Sequence, residues 1–258
     1  MAGVSRLQYS TEIRLIRVMC SGRVDLEFIF RAFANGMDGV FIGGCRLNEC
    51  TYITQGNYDA LNIVLLSKKI MAHIGLNPER LRVEFMSSGE GNILAEVIND
   101  FSQKMRGLGP LGKAEGIDEA ELKSKLAEVR KLIPYIKIVN RKKLQSRLRD
   151  EKEYEGLFTA DEIARLFSET ISYYIDPAKC QACMICAKRC PVEAIAGGKS
   201  MIHVIDQDTC IKCGTCFEVC PPRFGAVAKL CGEPVPPSIS EEERKIVRKS
   251  KKMVSDET

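Results

Sequence analysis

The sequence predicts two parts of different fold class, an α/β domain with a parallel sheet at the amino end and a small, cysteine-rich α+β domain near the carboxyl end. The first prediction rests on apolar runs that alternate with helical patterns over residues 12–109. The second rests on the position of nine of the twelve cysteines between residues 180 and 231. We place four segments: 1–112, the α/β domain; 113–175, a charged helical linker; 176–231, the cysteine-rich domain; and 232–258, a charged tail.

Three strands and three helices are predicted to alternate in the amino-terminal domain. The apolar, β-branched runs that predict strands cover residues 12–20, 39–45 and 80–88. The helical patterns cover residues 24–36, 57–75 and 90–109. Gly36 and Gly75 stand where C-caps are expected, and Asn57 stands where an N-cap is expected. This period of alternation indicates right-handed crossovers between parallel strands.

The segment after residue 112 is rich in lysine, arginine and glutamate. Residues 118–133 and 159–175 show amphipathic helical patterns, the second with Thr159 or Asp161 as its cap. We interpret the charge runs as solvated helix faces. The prolines and charges beyond residue 231 predict a poorly ordered tail or an arm that docks on a partner.

Composition and charge exclude several functional classes. The net charge of +4 is small for 258 residues and gives no support to nucleic-acid binding. No apolar stretch approaches the roughly 18 residues of a membrane-spanning helix, and the amino end lacks the apolar core of a signal peptide. We therefore expect a cytoplasmic protein, in which disulfides are rare and regularly spaced cysteines indicate metal ligands.

Two repeated cysteine motifs carry the chemistry of the carboxyl-terminal domain. Residues 180–191 read CQACMICAKRCP and residues 210–221 read CIKCGTCFEVCP. Both fit the Cys-x₂-Cys-x₂-Cys-x₃-Cys-Pro run of bacterial two-cluster ferredoxins, in which the fourth cysteine binds the other cluster. The motifs therefore predict two 4Fe–4S clusters, one on each of two thiol sets. The first thiol set is Cys180, Cys183, Cys186 and Cys220, and the second thiol set is Cys190, Cys210, Cys213 and Cys216.

Other interpretations of these residues are weaker. Zinc bound by two Cys-x₂-Cys pairs would leave half of the motif cysteines without a ligand role, because a zinc site takes four ligands. We interpret Cys231, outside the motifs, as a small buried residue. His73 and His203 lack metal spacing and are interpreted as structural. No acid, base or nucleophile pattern accompanies the motifs, so we expect an oxidoreductase subunit that carries electrons without a substrate site of its own.

Three further thiols, Cys20, Cys45 and Cys50, lie in the amino-terminal domain. Cys20 ends the first predicted strand, Cys45 ends the second, and Cys50 follows on the loop. The carboxyl ends of parallel strands meet at one sheet edge, so the three thiols are expected to converge there. Together they are one ligand short of a 2Fe–2S or zinc site, and unligated cysteines are the alternative.

A family resemblance covers residues 2–110. The resemblance rests on the stretches CSGRVD, DGV, GGCRLNEC and GN, followed by ERLRVEF and GLGP. This part of the chain resembles the delta subunit of methyl-viologen-reducing hydrogenase. The resemblance implies a 2Fe–2S cluster with Cys20, Cys45 and Cys50 as candidate ligands. It also implies electron transfer between a hydrogenase, formate dehydrogenase or NADH-oxidising module and a heterodisulfide reductase-like flavoprotein, in an anaerobe.

The chain departs from that family in two respects. Members carry a cysteine pair upstream of the stretch AGVSRLQY, and they tend to have a histidine where this chain has Thr51. We therefore expect the 2Fe–2S site to be incomplete in this chain, with the first strand of the sheet lost through truncation at Met1. Two alternatives stay open for the whole protein: a self-contained flavin and iron–sulfur reductase, or a scaffold whose clusters sense redox state.

Overall fold

The structure is a computed structural model that describes residues 6–52, 56–148 and 151–245, the last range without the side chains of residues 151 and 152. The chain divides into two compact units, Met1–Phe167 and Ser168–Thr258, and the boundary lies inside the segment 113–175. Among the described residues, no helix combines the length and apolar character that a membrane crossing requires.

The first unit contains a parallel sheet surrounded by helices. Two short 3₁₀ turns, Ser21–Arg23 and Pro78–Arg80, accompany its helices and strands. In chain order the remaining elements are α1 Leu26–Ala34, β1 Val40–Gly44, α2 Asn57–His73, β2 Leu81–Phe85, α3 Gly91–Leu108, α4 Glu119–Val139, α5 Arg141–Leu144, α6 Glu151–Glu155 and α7 Ala160–Ser168, whose final residue begins the second unit.

Strands β1 and β2 pair in parallel, with Val40 opposite Leu81 and Gly44 opposite Phe85. Helix α2 connects them, as expected for a crossover between parallel strands. The prediction of an α/β region with a parallel sheet is therefore confirmed. Both strands end at the same edge, so the loop that leaves Gly44 and carries Cys45 and Cys50 begins there.

The apolar side chains of α1 show why this segment forms a helix. Its buried residues are spaced by three or four positions and form one face: Leu26, Ile29, Phe30 and Phe33. The Asp25 side chain caps the helix by accepting a hydrogen bond from the Glu27 amide at 2.9 Å. Gly36, with φ of +80°, follows the end of the helix in the left-handed conformation expected of a C-terminal glycine.

The prediction of a buried strand over residues 12–20 is wrong. These residues belong to the described part of the chain, yet they form no strand. Leu15, Ile16 and Met19 are exposed, at 68%, 85% and 89% of their surface. Apolar β-branched composition favours a strand only when a neighbouring strand is present to pair with it, and these residues pair with neither β1 nor β2.

Helix α4 is longer than predicted and belongs to the core of the first unit. It continues six residues past 133, to Val139, with Pro134 inside it. Leu126 and Val129 on α4 are almost fully buried, and α4 lies against α1. The proline removes one backbone donor from the helix, and the helix continues because its buried face is packed over most of its length.

A buried ion pair connects the start of β2 with the chain that leaves α3. The Arg80 side chain is fully buried, and its Nε donates to Oε1 of Glu115 at 2.6 Å. The other guanidinium nitrogens donate to the carbonyl oxygens of Asp38, Gly109 and Pro110 at 2.9 to 3.3 Å. The charge is thus neutralised and its donors are satisfied, as a buried guanidinium requires.

The described part of the second unit is built from short antiparallel strand pairs and two short helices. Its remaining elements are β3 Ile171–Ile175, α8 Ile185–Arg189, β4 Ile195–Ala196, β5 Val204–Ile205, α9 Thr215–Glu218 and β6 Val227–Cys231. Strand β3 pairs with β6, and β4 pairs with β5, both antiparallel. The unit is thus a small-sheet region, in agreement with the prediction of a small domain near the carboxyl end.

The prediction of one helix over residues 159–175 is half right. Thr159 caps α7, since its hydroxyl accepts from the Glu162 amide at 3.2 Å and Glu162 reaches back to the Thr159 amide. The helix ends at Ser168, however, and residues 171–175 form β3. The stretch ISYYI consists largely of β-branched and aromatic residues, which fit a strand once β6 is available as a partner.

Part of the predicted tail returns to the second unit. The Ile202 amide donates to the Arg244 carbonyl oxygen at 2.7 Å, and Lys245 forms an antiparallel bridge with Met201. The rest of the predicted tail, residues 246–258, lies outside the described residues.

Candidate metal centres

The two cysteine motifs begin with the same turn. The amide of Cys180 donates to the Asp176 carbonyl oxygen, and the amide of Cys210 donates to the Asp206 carbonyl oxygen, both at 3.0 Å. Each aspartate side chain also accepts from the amide two residues later. These local bonds give both loops the same starting geometry.

Each motif then curls through the same pair of left-handed residues. In the first motif these are Ala182 and Met184, with φ of +52° and +65°. In the second they are Lys212 and Gly214, with φ of +56° and +82°. Three of the four are not glycine, so this conformation is sterically costly and is maintained by the surrounding structure.

The thiols of the first set lie close together. Burial raises the pKa of Cys186 to about 11, and the neighbouring thiols of Cys180, Cys183 and Cys220 raise it as well. Three of these cysteines come from the first motif and Cys220 comes from the second. The structure therefore brings the fourth cysteine of one motif beside the first three cysteines of the other.

The thiols of the second set surround a small cavity. Its lining includes Cys190, Cys210, Cys213 and Cys216, again three cysteines of one motif and the fourth of the other. Burial raises the pKa of Cys216 to about 12, and the thiols of Cys210 and Cys213 act in the same direction. Burial also raises the pKa of Cys210, although the Lys212 amide and charge oppose it.

Hydrogen-bond donors point at several of these sulfurs. The Ala194 amide donates to Cys190 Sγ at 3.3 Å, and the Lys212 amide donates to Cys210 Sγ at 3.4 Å. The hydroxyl of Thr215 lies 3.3 Å from Cys213 Sγ. Donors of this kind stabilise negative charge on a metal-bound thiolate.

The donor chemistry fits iron–sulfur clusters. Thiols with a raised pKa are protonated near neutral pH, and a bound metal replaces their protons. Among the described residues, no three His, Cys, Asp or Glu side chains stand together as a preformed site for a metal ion. The ligands of a multi-iron cluster attach to different iron atoms, so they surround the cluster rather than converge on one point.

Two of the three amino-terminal thiols, those of Cys20 and Cys50, meet at Gly56, which immediately precedes α2. A Cβ at Gly56 would lie 2.7 Å from Cys50 Sγ and 3.4 Å from Cys20 Sγ. Burial raises the pKa of Cys20, the Gly22 amide opposes this by donating to the sulfur, and the thiols of Cys50 and Cys45 raise it further. Cys50 is buried and Cys45 is exposed.

Cys20 reaches this place by a route that the sequence did not predict. It does not end a strand but precedes the turn Ser21–Arg23. A Cβ at Gly22 in that turn would lie 2.5 Å from the Gly56 α-carbon, so two glycines permit the close approach. Asn57 is fully buried and anchors the loop that follows β1, because its Nδ2 donates to the carbonyl oxygens of Cys45 and Arg46 at 2.9 and 2.6 Å.

Replacing Gly56 by alanine is expected to lower the free energy of unfolding of the first unit by about 1–3 kcal/mol, as overpacking does. The new methyl group would press on Cys50 Sγ, and the φ of +96° is unfavourable for alanine. Denaturant unfolding of the full chain measures the loss. Gly89→Ala is the matched control, because no described atom lies within 4 Å of its Cβ position. Equal midpoints for the two variants would refute the prediction.

The structure corrects the interpretation of Cys231 and adds a detail to that of His203. Cys231, predicted to be buried, is exposed at the end of β6, where its thiol donates to the Glu169 carbonyl oxygen at 3.6 Å. His203, interpreted as structural, is 1% exposed and lies beside Cys180. The sequence does contain a signal for it: His203 precedes Cys210 by seven residues, and Tyr173 precedes Cys180 by the same number.

Comparison with known proteins gives a separate match for each of the two units. Residues 1–109 match the family described as methyl-viologen-reducing hydrogenase, delta subunit, and residues 172–221 match the 4Fe–4S dicluster domain. The chain is 46% identical over 110 residues to the iron-sulfur subunit of the F420-non-reducing hydrogenase of Archaeoglobus profundus, covering 43% of this chain and 80% of that protein. It is 43% identical over 109 residues to the iron-sulfur subunit of the vhc F420-non-reducing hydrogenase of Methanococcus voltae, covering 42% of this chain and 75% of that protein.

A third relative is much longer than the matched segment. The chain is 44% identical over 112 residues to one subunit of the ferredoxin/F420H2-dependent CoB-CoM heterodisulfide reductase of Methanosarcina acetivorans. That match covers 43% of this chain but only 14% of the reductase subunit. Residues 1–109 match the family model, and this chain covers at least 75% of each of the two hydrogenase subunits at 43% identity or more. The chain therefore belongs to the family of the methyl-viologen-reducing hydrogenase delta subunit.

Proposed function

We propose that this protein is an iron–sulfur electron-transfer subunit. It relays electrons from a hydrogenase, formate dehydrogenase or NADH-oxidising module to a heterodisulfide reductase-like flavoprotein. The observation that carries the proposal is the grouping of eight motif thiols of the second unit into two sets of four, each drawn from both motifs. Such sets are suited to two 4Fe–4S clusters in a two-cluster ferredoxin-like fold.

The first thiol set would hold one cluster and the second thiol set the other. When bound, each cluster takes up and releases one electron at a time. The protein supplies thiolates, amide donors and an apolar surrounding, to which the buried side chains of Ile175, Ile195, Ile205 and Val227 contribute. These residues limit the access of water to the thiols, and solvent access is one of the factors that set a cluster's potential.

Positive side chains near the motifs favour the reduced state. Lys188 and Arg189 lie in the last turn of α8. The charge of Lys212 opposes the rise that burial causes in the pKa of the Cys210 thiol, and Lys212 Nζ donates to Ser172 Oγ at 2.7 Å. A cation stabilises the added negative charge of a reduced cluster, so these residues raise the reduction potential.

Cys20, Cys45 and Cys50 would supply three ligands of a 2Fe–2S cluster in the first unit. The meeting of Cys20 and Cys50 at Gly56 supports this assignment, as does the effect of the Cys45 thiol in raising the pKa of Cys20. A 2Fe–2S cluster is held by four ligands, so the fourth must come from outside this group. We place the protein in the cytoplasm of an anaerobe.

The names of the relatives support the proposed partners. Two are hydrogenase iron-sulfur subunits, and one is a heterodisulfide reductase subunit that contains a segment similar to residues of this first unit. A segment found in both kinds of protein fits a position at the junction between a hydrogenase and a heterodisulfide reductase-like flavoprotein. The activities of those complexes would reside in their other subunits.

Anaerobic reconstitution of the full chain with iron and sulfide tests the proposal. We expect about eight iron atoms per chain in the second unit, from two clusters of four. The loaded protein should be reduced by a hydrogenase, formate dehydrogenase or NADH-oxidising module and reoxidised by the flavoprotein. Zinc in place of iron would overturn the cluster assignment, and a flavin absorbance band in the chain expressed alone would favour a self-contained reductase.

A further inference from the structure

Two aromatic rings occupy equivalent positions in the internal repeat of the second unit. Tyr173 and His203 each stand seven residues before the first cysteine of a motif. Each ring lies against the loop of the other motif: His203 contacts Cys180, and the Tyr173 hydroxyl would lie 2.7 Å from a Cβ at Gly214. The repeat therefore presents an imidazole to the first thiol set and a phenol to the second.

The imidazole is held firmly against two sulfur atoms. His203 Nδ1 lies 3.8 Å from Cys180 Sγ, and Nε2 lies 3.1 Å from Met184 Sδ. The side chain is 1% exposed. Gly197 makes room for the ring, because a Cβ there would lie 2.6 Å from His203 Cδ2. The ring thus has little freedom to turn away from Cys180.

The chemistry of the two sulfurs determines where a single ring proton resides. A thioether such as Met184 is a weak acceptor. A metal-bound thiolate such as that proposed for Cys180 carries negative charge, and hydrogen bonds to charged acceptors are the stronger ones. A neutral ring therefore protonates Nδ1, and a charged ring would donate from Nδ1 as well, so the donor to Cys180 is present in both states.

On the basis of the proposed function, we propose that His203 raises the reduction potential of the cluster on the first thiol set by donating from Nδ1 to Cys180 Sγ. Hydrogen bonds to cluster sulfurs are among the factors that set these potentials. Reduction adds one electron from the upstream donor, and reoxidation passes it to the flavoprotein. The Nδ1 proton stays on the ring throughout, so no bond forms or breaks. His203 therefore acts on the cluster through Cys180 and does not itself carry the electron.

Two substitutions test the donor in the iron-loaded full chain. His203→Phe keeps a ring but removes the donor, and it should shift one of the two midpoint potentials to a more negative value in a redox titration followed by electron paramagnetic resonance. His203→Asn places an amide nitrogen near the position of Nδ1 and should restore part of that shift. His73→Gln, at the exposed histidine of α2, is the control and should change neither potential.

The outcomes separate this inference from the proposed function. If the His203→Phe protein holds its iron with both potentials unchanged, the inference is wrong while the electron-transfer proposal stands. If the wild-type chain binds no iron, the proposed function itself fails.

A second measurement does not depend on any variant at His203. The chain has only two histidines, so the nitrogen-15 spectrum of labelled protein is simple, and His73→Gln assigns it. We expect a protonated Nδ1 on His203 in the loaded protein. A bare Nδ1 would overturn the inference even if His203→Phe proved unable to fold.

Discussion

A Cys180→Ala/Cys220→Ala double variant is expected to keep about four of the eight iron atoms of the second unit, whereas Cys180→Ala/Cys190→Ala is expected to keep almost none of them. The first pair removes two ligands of the same thiol set and leaves the second set whole. The second pair removes one ligand from each set. Cys190 follows Cys180 within one motif, so the result distinguishes ligation across motifs from ligation within them.

Iron and sulfide analysis of the reconstituted variants measures this difference. Cys231→Ala is the matched control, because that exposed thiol lies outside both sets, and it should keep all of the about eight iron atoms of the second unit. Ligation within each motif predicts the reverse order, with the Cys180/Cys220 variant empty and the Cys180/Cys190 variant half loaded. Observing that order would reject the proposed thiol sets.

Replacing Glu115 by alanine is expected to destabilise the first unit by about 3–5 kcal/mol. The substitution leaves the Arg80 guanidinium fully buried without the carboxylate that neutralises it. Its donors to the carbonyl oxygens of Gly109 and Pro110 remain, but they do not compensate the charge. Urea unfolding at neutral pH measures the loss. A change below about 1 kcal/mol would show that the ion pair contributes little.

The same carboxylate gives the first unit a defined sensitivity to acid. Burial alone would raise the pKa of Glu115, but the hydrogen bond and charge of Arg80, together with hydrogen bonds from the Asn77 and Gly112 amides, outweigh it, and the pKa lies below its ordinary value of 4.5. Its contribution to stability is therefore complete above about pH 4.5 and is lost as the pH falls through the lower, folded-state pKa. The Glu115→Ala protein should lose less stability over this acidic range than the wild type.

Glu119→Ala provides the control for the ion pair. Glu119 pairs with Lys123 on the solvent face of α4, where their side chains are 81% and 70% exposed. A surface pair of this kind contributes little, so the unfolding midpoint should change much less than in Glu115→Ala. Similar losses in the two variants would indicate that a general effect of charge, rather than burial, explains the result.

Local pattern predicted much of the secondary structure of the first unit. Five predicted elements, from α1 to α3, are present, because their apolar spacing, caps and flanking glycines all favour the same local conformation. The predictions that are wrong concern segments whose secondary structure depends on a strand distant in the sequence. Residues 12–20 have strand composition but pair with neither strand of the sheet, and residues 171–175 were predicted as helix but pair with β6.

The cysteine spacing by itself determined the chemistry of the second unit. Gaps of two residues place three thiols of each motif on one tightly curled loop, so the spacing already indicates an iron–sulfur site. Likewise, a few short stretches such as CSGRVD and GGCRLNEC together predicted the family that residues 1–109 match. These are properties of short segments, which carry their geometry in their own sequence.

Only the tertiary structure decided which groups surround those thiols. Gly22 and Gly56, far apart in the sequence, bring Cys20 to Cys50, and Gly197 makes room for His203 beside Cys180. The physical reason is that spacing determines the shape of a loop, whereas the packing of distant segments determines what that loop touches.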